Sequence, residues 1–156
     1  MSFIANHTHI IQEFGKLINI PELALDEDGY CCLGFDDVVL DIEYKEHLKI
    51  LLAHSRIGTL PDQPWSALLE KLQDMSYATL IMGTGAIGID RHARRIMFIE
   101  RIPLRGLTPQ DFEAAIEAIV DRVEKLTATI NAPDFVSRSD DAPVHGAPFA
   151  DIHIQV

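Results

Sequence analysis

The stretch VVLDIEYK, Val38–Lys45, constrains this chain more than any other. Val38, Leu40, Ile42 and Tyr44 alternate with Val39, Asp41 and Glu43. A period of two marks a strand with one buried face. Similar runs flank it. Cys31, Leu33 and Phe35 fall on one face of a preceding strand, and Leu48, Ile50 and Leu52 on one side of a following strand over 48–54. Asp28-Gly29 and Asp36-Asp37 read as turns. Three successive strands with links this short predict an antiparallel meander, because a parallel crossover needs about a dozen residues or more.

Around the meander the apolar period changes to that of helices. Phe3, Ile4, Ile10, Ile11, Phe14, Leu17 and Ile18 predict a helix over 4–18, stopped by Pro21. Trp65, Leu68, Leu69, Leu72 and Met75 form one apolar face of a second helix, with Asp62 or Gln63 as cap and Pro64 in the first turn. Two strands, Ala86–Asp90 and 96–102, flank the charged turn RHARR. A third helix opens with Thr108 as N-cap, Pro109 in the first turn and Asp111 closing a capping box. Phe112, Ala115, Ile116, Ile119, Val120, Val123, Leu126 and Ile130 make its apolar stripe, and Glu113, Glu117, Asp121 and Glu124 its solvated face. The order α-β-β-β-α-β-β-α predicts an α+β fold, an antiparallel sheet with helices packed on it. Residues 1–130 form the domain. Residues 131–156, rich in Pro, Ser and Asp, read as a flexible tail whose last residues, ADIHIQV, alternate once more.

The sequence offers little chemistry. GTGAIG, residues 83–88, spells the dinucleotide fingerprint G-x-G-x-x-G, but that loop needs a strand before it and a helix plus a parallel strand after it. Here no strand is left to complete the unit, and Glu100, the nearest acid for a ribose, sits inside a strand. The glycines read as a lead-in to a hairpin. His7 and His9 lie two apart on a helix and diverge, and no C-x-x-C or H-E-x-x-H spacing occurs. Cys31 and Cys32 are adjacent on a strand and point to opposite faces. With Asp26, Glu27, Asp28, Asp36 and Asp37 around them they read as small hydrophobes rather than nucleophiles. No catalytic residue, metal or cofactor is expected. A formal net charge of −11 argues against a nucleic-acid partner. The first residues lack the pattern of a signal peptide, and no apolar run is long enough for a bilayer. Reduced cysteines fit a cytoplasmic setting.

Apolar area is in excess. Val38, Val39 and Leu40 are consecutive, as are Ile50, Leu51 and Leu52, and the five-residue apolar face of the second helix includes the single tryptophan. Helices covering one sheet face would leave some of these wet, and exposed patches mark association surfaces.

The element order, small size and acidity, together with LDEDGYCCL (Leu25 to Leu33), resemble the class I type III secretion chaperones, typified by the Tir and Yop-effector chaperones. The stretch is similar to that family's L-x-L-D-E-x-G-x-C-x-L entry into the first strand, and Gly88-Ile89-Asp90 before a hairpin also fits. The resemblance covers about residues 4–130. It implies a non-enzymatic, homodimeric chaperone in the bacterial cytoplasm. Such a protein holds the N-terminal segment of a secreted effector in a non-globular state and delivers it to the secretion apparatus, with the secretion ATPase as a further partner. Carried onto this sequence, it implies a dimer contact at Trp65, Leu68, Leu69, Leu72, Met75, Ile87 and Ile89. It implies an effector segment running over the first helix and the sheet, at Ile10, Phe14, Leu33, Phe35, Val39 and Leu48, without specifying which face of the sheet is used. Two other readings compete. One is a small regulatory module of the same fold that sequesters a regulator of secretion or transcription, and the other is an enzyme with a site of unrecognised pattern.

Overall fold

The computed structural model describes residues 4–137. The alternating segments pair as the periodicity requires. Strands β1 (Tyr30–Phe35), β2 (Val38–Lys45) and β3 (Ile50–Thr59) form the meander, and β4 (Ala86–Asp90) and β5 (Arg95–Pro103) form a hairpin. The five strands make one antiparallel sheet in the order β1-β2-β3-β5-β4. Asp36, in the two-residue link between β1 and β2, takes φ 48°, a left-handed conformation that aspartate tolerates better than most residues.

Three helices complete the fold: α1 (His7–Leu17), α2 (Ser66–Ile81) and α3 (Pro109–Ile130). α3 lies on β2, β3 and β5, and α1 packs beside it. Phe14 of α1 meets Phe112 of α3 edge to face, with ring centroids 5.1 Å apart. Beneath them lie Leu33, Leu40, Ile42, Leu51, Ala53, Ile96 and Phe98, all buried. Each large apolar side chain sealed here contributes about 1.5–3 kcal/mol relative to exposure. The expected capping box is present. The Thr108 hydroxyl accepts from Asp111 N–H at 3.1 Å, and the Asp111 carboxylate accepts from Thr108 N–H at 3.3 Å.

Four expectations about element limits change. α1 starts at His7, not residue 4, because the Asn6 side chain accepts from Thr8 and His9 N–H and caps it there; Ile4 instead bridges to Arg105. α2 starts at Ser66, so Pro64 precedes the helix, and Trp65 anchors its entry by donating from Nε1 to the Pro61 carbonyl at 2.8 Å. β3 runs on to Thr59 through a bulge between Arg56 and Gly58, and its core side carries Leu51, Ala53, Ser55 and Ile57 rather than Leu48, Ile50 and Leu52. From Asn131 to Ser137 the chain stays on the domain. Asn131 Nδ2 donates to the Ile57 carbonyl at 3.1 Å, and Phe135 packs against the core. ADIHIQV lies outside the described residues.

Candidate functional site

Strand register decides which side chains share a face. Cys31, Leu33, Phe35, Val38, Leu40, Ile42, Leu51, Ala53, Ile96 and Phe98 point towards α1 and α3. Tyr30, Cys32 and Gly34 of β1, Val39, Asp41 and Glu43 of β2, Leu52, His54 and Arg56 of β3, and Met97, Ile99 and Arg101 of β5 point the other way. None of these is fully buried, and no described helix covers them. This open face carries a polar network. The Tyr30 hydroxyl donates to Asp41 Oδ1 at 2.5 Å, and His54 sits between Asp41 (3.7 Å) and Glu43 (3.1 Å). Lys45 pairs with Glu43. That bond holds the Glu43 carboxyl below its usual range, and the Asp41 carboxylate pushes the Tyr30 phenol up. Apolar Leu52, Met97 and Ile99 lie half-buried beside the network, and Val39 is exposed.

At the sheet margin, β1 has a free edge. Tyr44 N–H donates to the Gly29 carbonyl, so Gly29, Cys31, Leu33 and Phe35 bond towards β2, while Tyr30, Cys32 and Gly34 turn their amides outward. Asp26 already takes both outward groups of Tyr30: its carboxylate accepts the N–H at 2.9 Å and its own N–H donates to the carbonyl at 2.8 Å. Among the described residues, the backbone groups of Cys32 and Gly34 remain open for strand pairing. The opposite edge differs. The Ser76 hydroxyl of α2 accepts from Ile87 N–H and donates to the Ile87 carbonyl, both at 3.2 Å, and so covers β4.

Between α2 and β4 runs a groove of about 320 Å³ lined by Leu69, Leu72, Ser76, Ile87 and Ile89. Leu69, Tyr77 and Leu80 extend it as an exposed stripe along α2, with Tyr77 64% and Leu80 59% accessible. Of the residues the resemblance assigned to a dimer contact, Leu69 and Ile89 are exposed, Ile87, Met75 and Trp65 are half-buried, and Leu68 and Leu72 are buried against the domain. The Trp65 ring carries the Arg91 guanidinium 5.5 Å from its centroid. Tyr77 and Leu80 were not singled out from sequence. Their signal was the continuation of the helix through YATLI, which puts Tyr77 eight residues and Leu80 eleven residues after Leu69, on the same helical face.

The residues assigned to an effector surface separate. Ile10 and Phe14 are 1% and Leu33 4% exposed, so their side chains belong to the core and offer a partner no area. Phe35 is half-buried at the rim of the core, Val39 stands on the open face, and Leu48 is exposed at the β2–β3 hairpin tip.

The glycine loop follows a helix and precedes a strand, the reverse of a phosphate loop. Gly83 N–H donates to the Leu80 carbonyl at the C-terminus of α2, where the helix dipole disfavours anions. Burial pushes the Cys31 thiol up to about 11, and burial with Asp41 raises Cys32, so both stay protonated at neutral pH. No helix among the described residues is long and apolar enough to cross a membrane.

The arrangement is an open-faced antiparallel sheet, backed on one side by two helices and flanked at the β4 edge by a third. The profile of the Tir chaperone protein (CesT) family matches residues 9–127, and the chain belongs to that family. A sequence search of curated proteins returns no match. Among solved structures, a chain of the ExsC–ExsE complex superposes with a TM-score of 0.67 at 22% identity, covering 81% of this chain and 95% of that one. A chain of the HopA1–SchA chaperone–effector complex gives 0.64 at 16% identity over 76% and 91%. The Yersinia pestis type III secretion chaperone SycH, in complex with a stable fragment of YscM2, gives 0.59 at 18% identity over 78% and 99%. The expected α+β fold and the resemblance to type III secretion chaperones are thus both met.

Proposed function

We propose that this chain is an effector-binding chaperone, working as a cytoplasmic homodimer without chemistry of its own. It would hold the N-terminal segment of a secreted protein extended and non-globular until export. The observation that carries this reading is the uncovered sheet face running out to the free β1 edge at Cys32 and Gly34. An extended segment gains main-chain bonds at such an edge while alternate side chains rest on the face. Ordering that segment costs about 2–5 kcal/mol, which a long, partly apolar surface offsets. Val39, Phe35 and Leu48 remain in the proposed client surface, and Ile10, Phe14 and Leu33 serve it by holding the sheet in place. Self-association uses the stripe of Leu69, Tyr77 and Leu80 with Ile87 and Ile89. Docking to the secretion ATPase belongs to the same reading and would take place with the client bound.

The test is co-expression with secreted proteins of the same cell, followed by limited proteolysis of any complex. The expected product is an undigested chaperone dimer retaining an N-terminal client fragment that lacks a folded domain. A complex retained after deletion of that N-terminal segment overturns the reading.

A further inference from the structure

We propose that the β3–β5 half of the open face selects client segments that are acidic as well as apolar. This deepens the function proposed above and rests on it.

The carboxylates of the open face are already engaged. Asp41 accepts from Tyr30, Glu43 pairs with both His54 and Lys45, and Asp90, which stands across from Arg95, accepts from Ala93 N–H at 3.0 Å. The cations on the other half are not. Arg56, Arg95 and Arg101 are exposed, and their side chains make no ion pair or hydrogen bond among the described residues. Arg94 is engaged by Asp62, Arg122 by Glu100 and Arg91 over Trp65, while Arg105 is exposed beyond the end of β5. In a chain with 24 acids against 13 lysines and arginines, Arg56 and Arg101, which have no acid opposite them on the sheet face, call for an anionic complement from outside.

Register shows what lies between them. Arg101 stands opposite Leu52, Arg56 opposite Met97, and Arg95 between Thr59 and Asp90, with Ile99 beside His54. Arg95 and Arg101 are six residues apart on one strand, a span of roughly 20 Å at about 3.4 Å per residue. The strip is therefore an apolar floor of Leu52, Met97 and Ile99 with guanidinium forks at its ends and side. An extended peptide of about seven residues covers that length. Alternate apolar side chains would rest on the floor, and carboxylates in the intervening or flanking positions would reach the forks. Arginine suits this because its planar fork matches a carboxylate bidentately. The net charge of −11 points to the opposite preference, for basic segments. At physiological salt that distant field is screened beyond about 8 Å, so the charges in contact decide.

The experiment uses the full chain and three labelled 16-residue peptides. They share one alternating apolar frame over their central eight residues and carry Glu, Gln or Lys at the intervening positions. Affinities are read by fluorescence anisotropy at physiological ionic strength. The expected order is Glu, then Gln, then Lys. Arg56→Gln with Arg101→Gln is expected to weaken the Glu peptide roughly three- to tenfold, as two partly exposed ion pairs would, and to leave the Gln peptide unchanged. Circular dichroism confirms that the variant keeps its fold. Equal affinities, or a preference for the Lys peptide, overturn the charge selection and leave the client-binding reading standing. Binding of none of the three overturns both. A single-stranded oligonucleotide that binds as tightly as the Glu peptide, and is lost in the same variant, overturns the assignment to a polypeptide.

Discussion

Two glycines of the 83–88 loop behave differently although both have positive φ. At Gly85, φ is 98° and a Cβ would stand 2.6 Å from the Ile99 carbonyl oxygen; at Gly83, φ is 67° and nothing lies within 4 Å. Gly83→Ala is expected to cost about 1 kcal/mol, from backbone conformation alone, and Gly85→Ala about 3 kcal/mol, with a backbone clash added. Urea denaturation of the two variants checks the difference. Glu100 and Arg122 give a second test. Their side chains pair at 2.5 Å, 17% and 26% exposed. Burial holds the Glu100 carboxyl above its usual range, against the pull of Arg122. A raised carboxyl binds its proton more tightly in the folded chain. The stability it lends is therefore full below the unfolded value, near 4.3, and lost as pH rises through the folded one. Removing the guanidinium raises that carboxyl further. Arg122→Met should thus cost about 2 kcal/mol at pH 7, between the exposed and fully buried cases, and much less at pH 4.5. A penalty equal at both pH values would mean that packing, not charge, couples the two. From sequence these glycines were legible as a bend, since no other residue recurs so readily at positive φ. The Glu100–Arg122 pair was not, because it joins residues 22 apart through a helix-on-sheet contact.

Among the three helices, α2 buries the smallest share of its residues. It rests mainly on β4, burying only Leu68, Leu72 and Ser76. The Ser76 hydroxyl ties it to the strand through both backbone groups of Ile87. Ser76→Ala leaves these two groups without their side-chain partner. It is expected to cost about 1–3 kcal/mol and to speed hydrogen exchange at Ile87 selectively. At α3, Thr108→Ala should lose about 1 kcal/mol of stability, because it opens the capping box. That box could be read directly from Thr-Pro-x-Asp, a local motif. The limits of β3 could not. Arg56 and Gly58 look like a turn, yet Gly58 is a close approach: a Cβ there would meet Ile130 at 3.1 Å and Ile96 at 3.3 Å. The demand comes from α3, 72 residues later, and nothing in the strand's own alternation announces it. Nor does the sequence show which side of β3 is buried, since Ile50, Leu51 and Leu52 are all apolar.

For the whole molecule, burial separates two kinds of residue on one helix. Leu69→Glu places a charge on an exposed stripe. It is expected to halve the mass seen by light scattering at micromolar concentration while the thermal transition persists. Leu72→Glu, at 3% exposure, should abolish that transition instead, because a carboxylate would enter the core. A Leu69→Glu protein of unchanged mass would remove α2 from the proposed dimer contact. Sequence alone located the surplus of apolar area but not its address, since Val39 and Leu33 are equally apolar and only register sends one outward and one in. The edge of β1 has a consequence of its own. With Asp26 occupying Tyr30, two residues remain, each offering one N–H and one C=O. A visiting strand that slips by two positions forfeits half of those rungs. So short a margin measures its guest, and tells one alignment from the next before any pocket is filled.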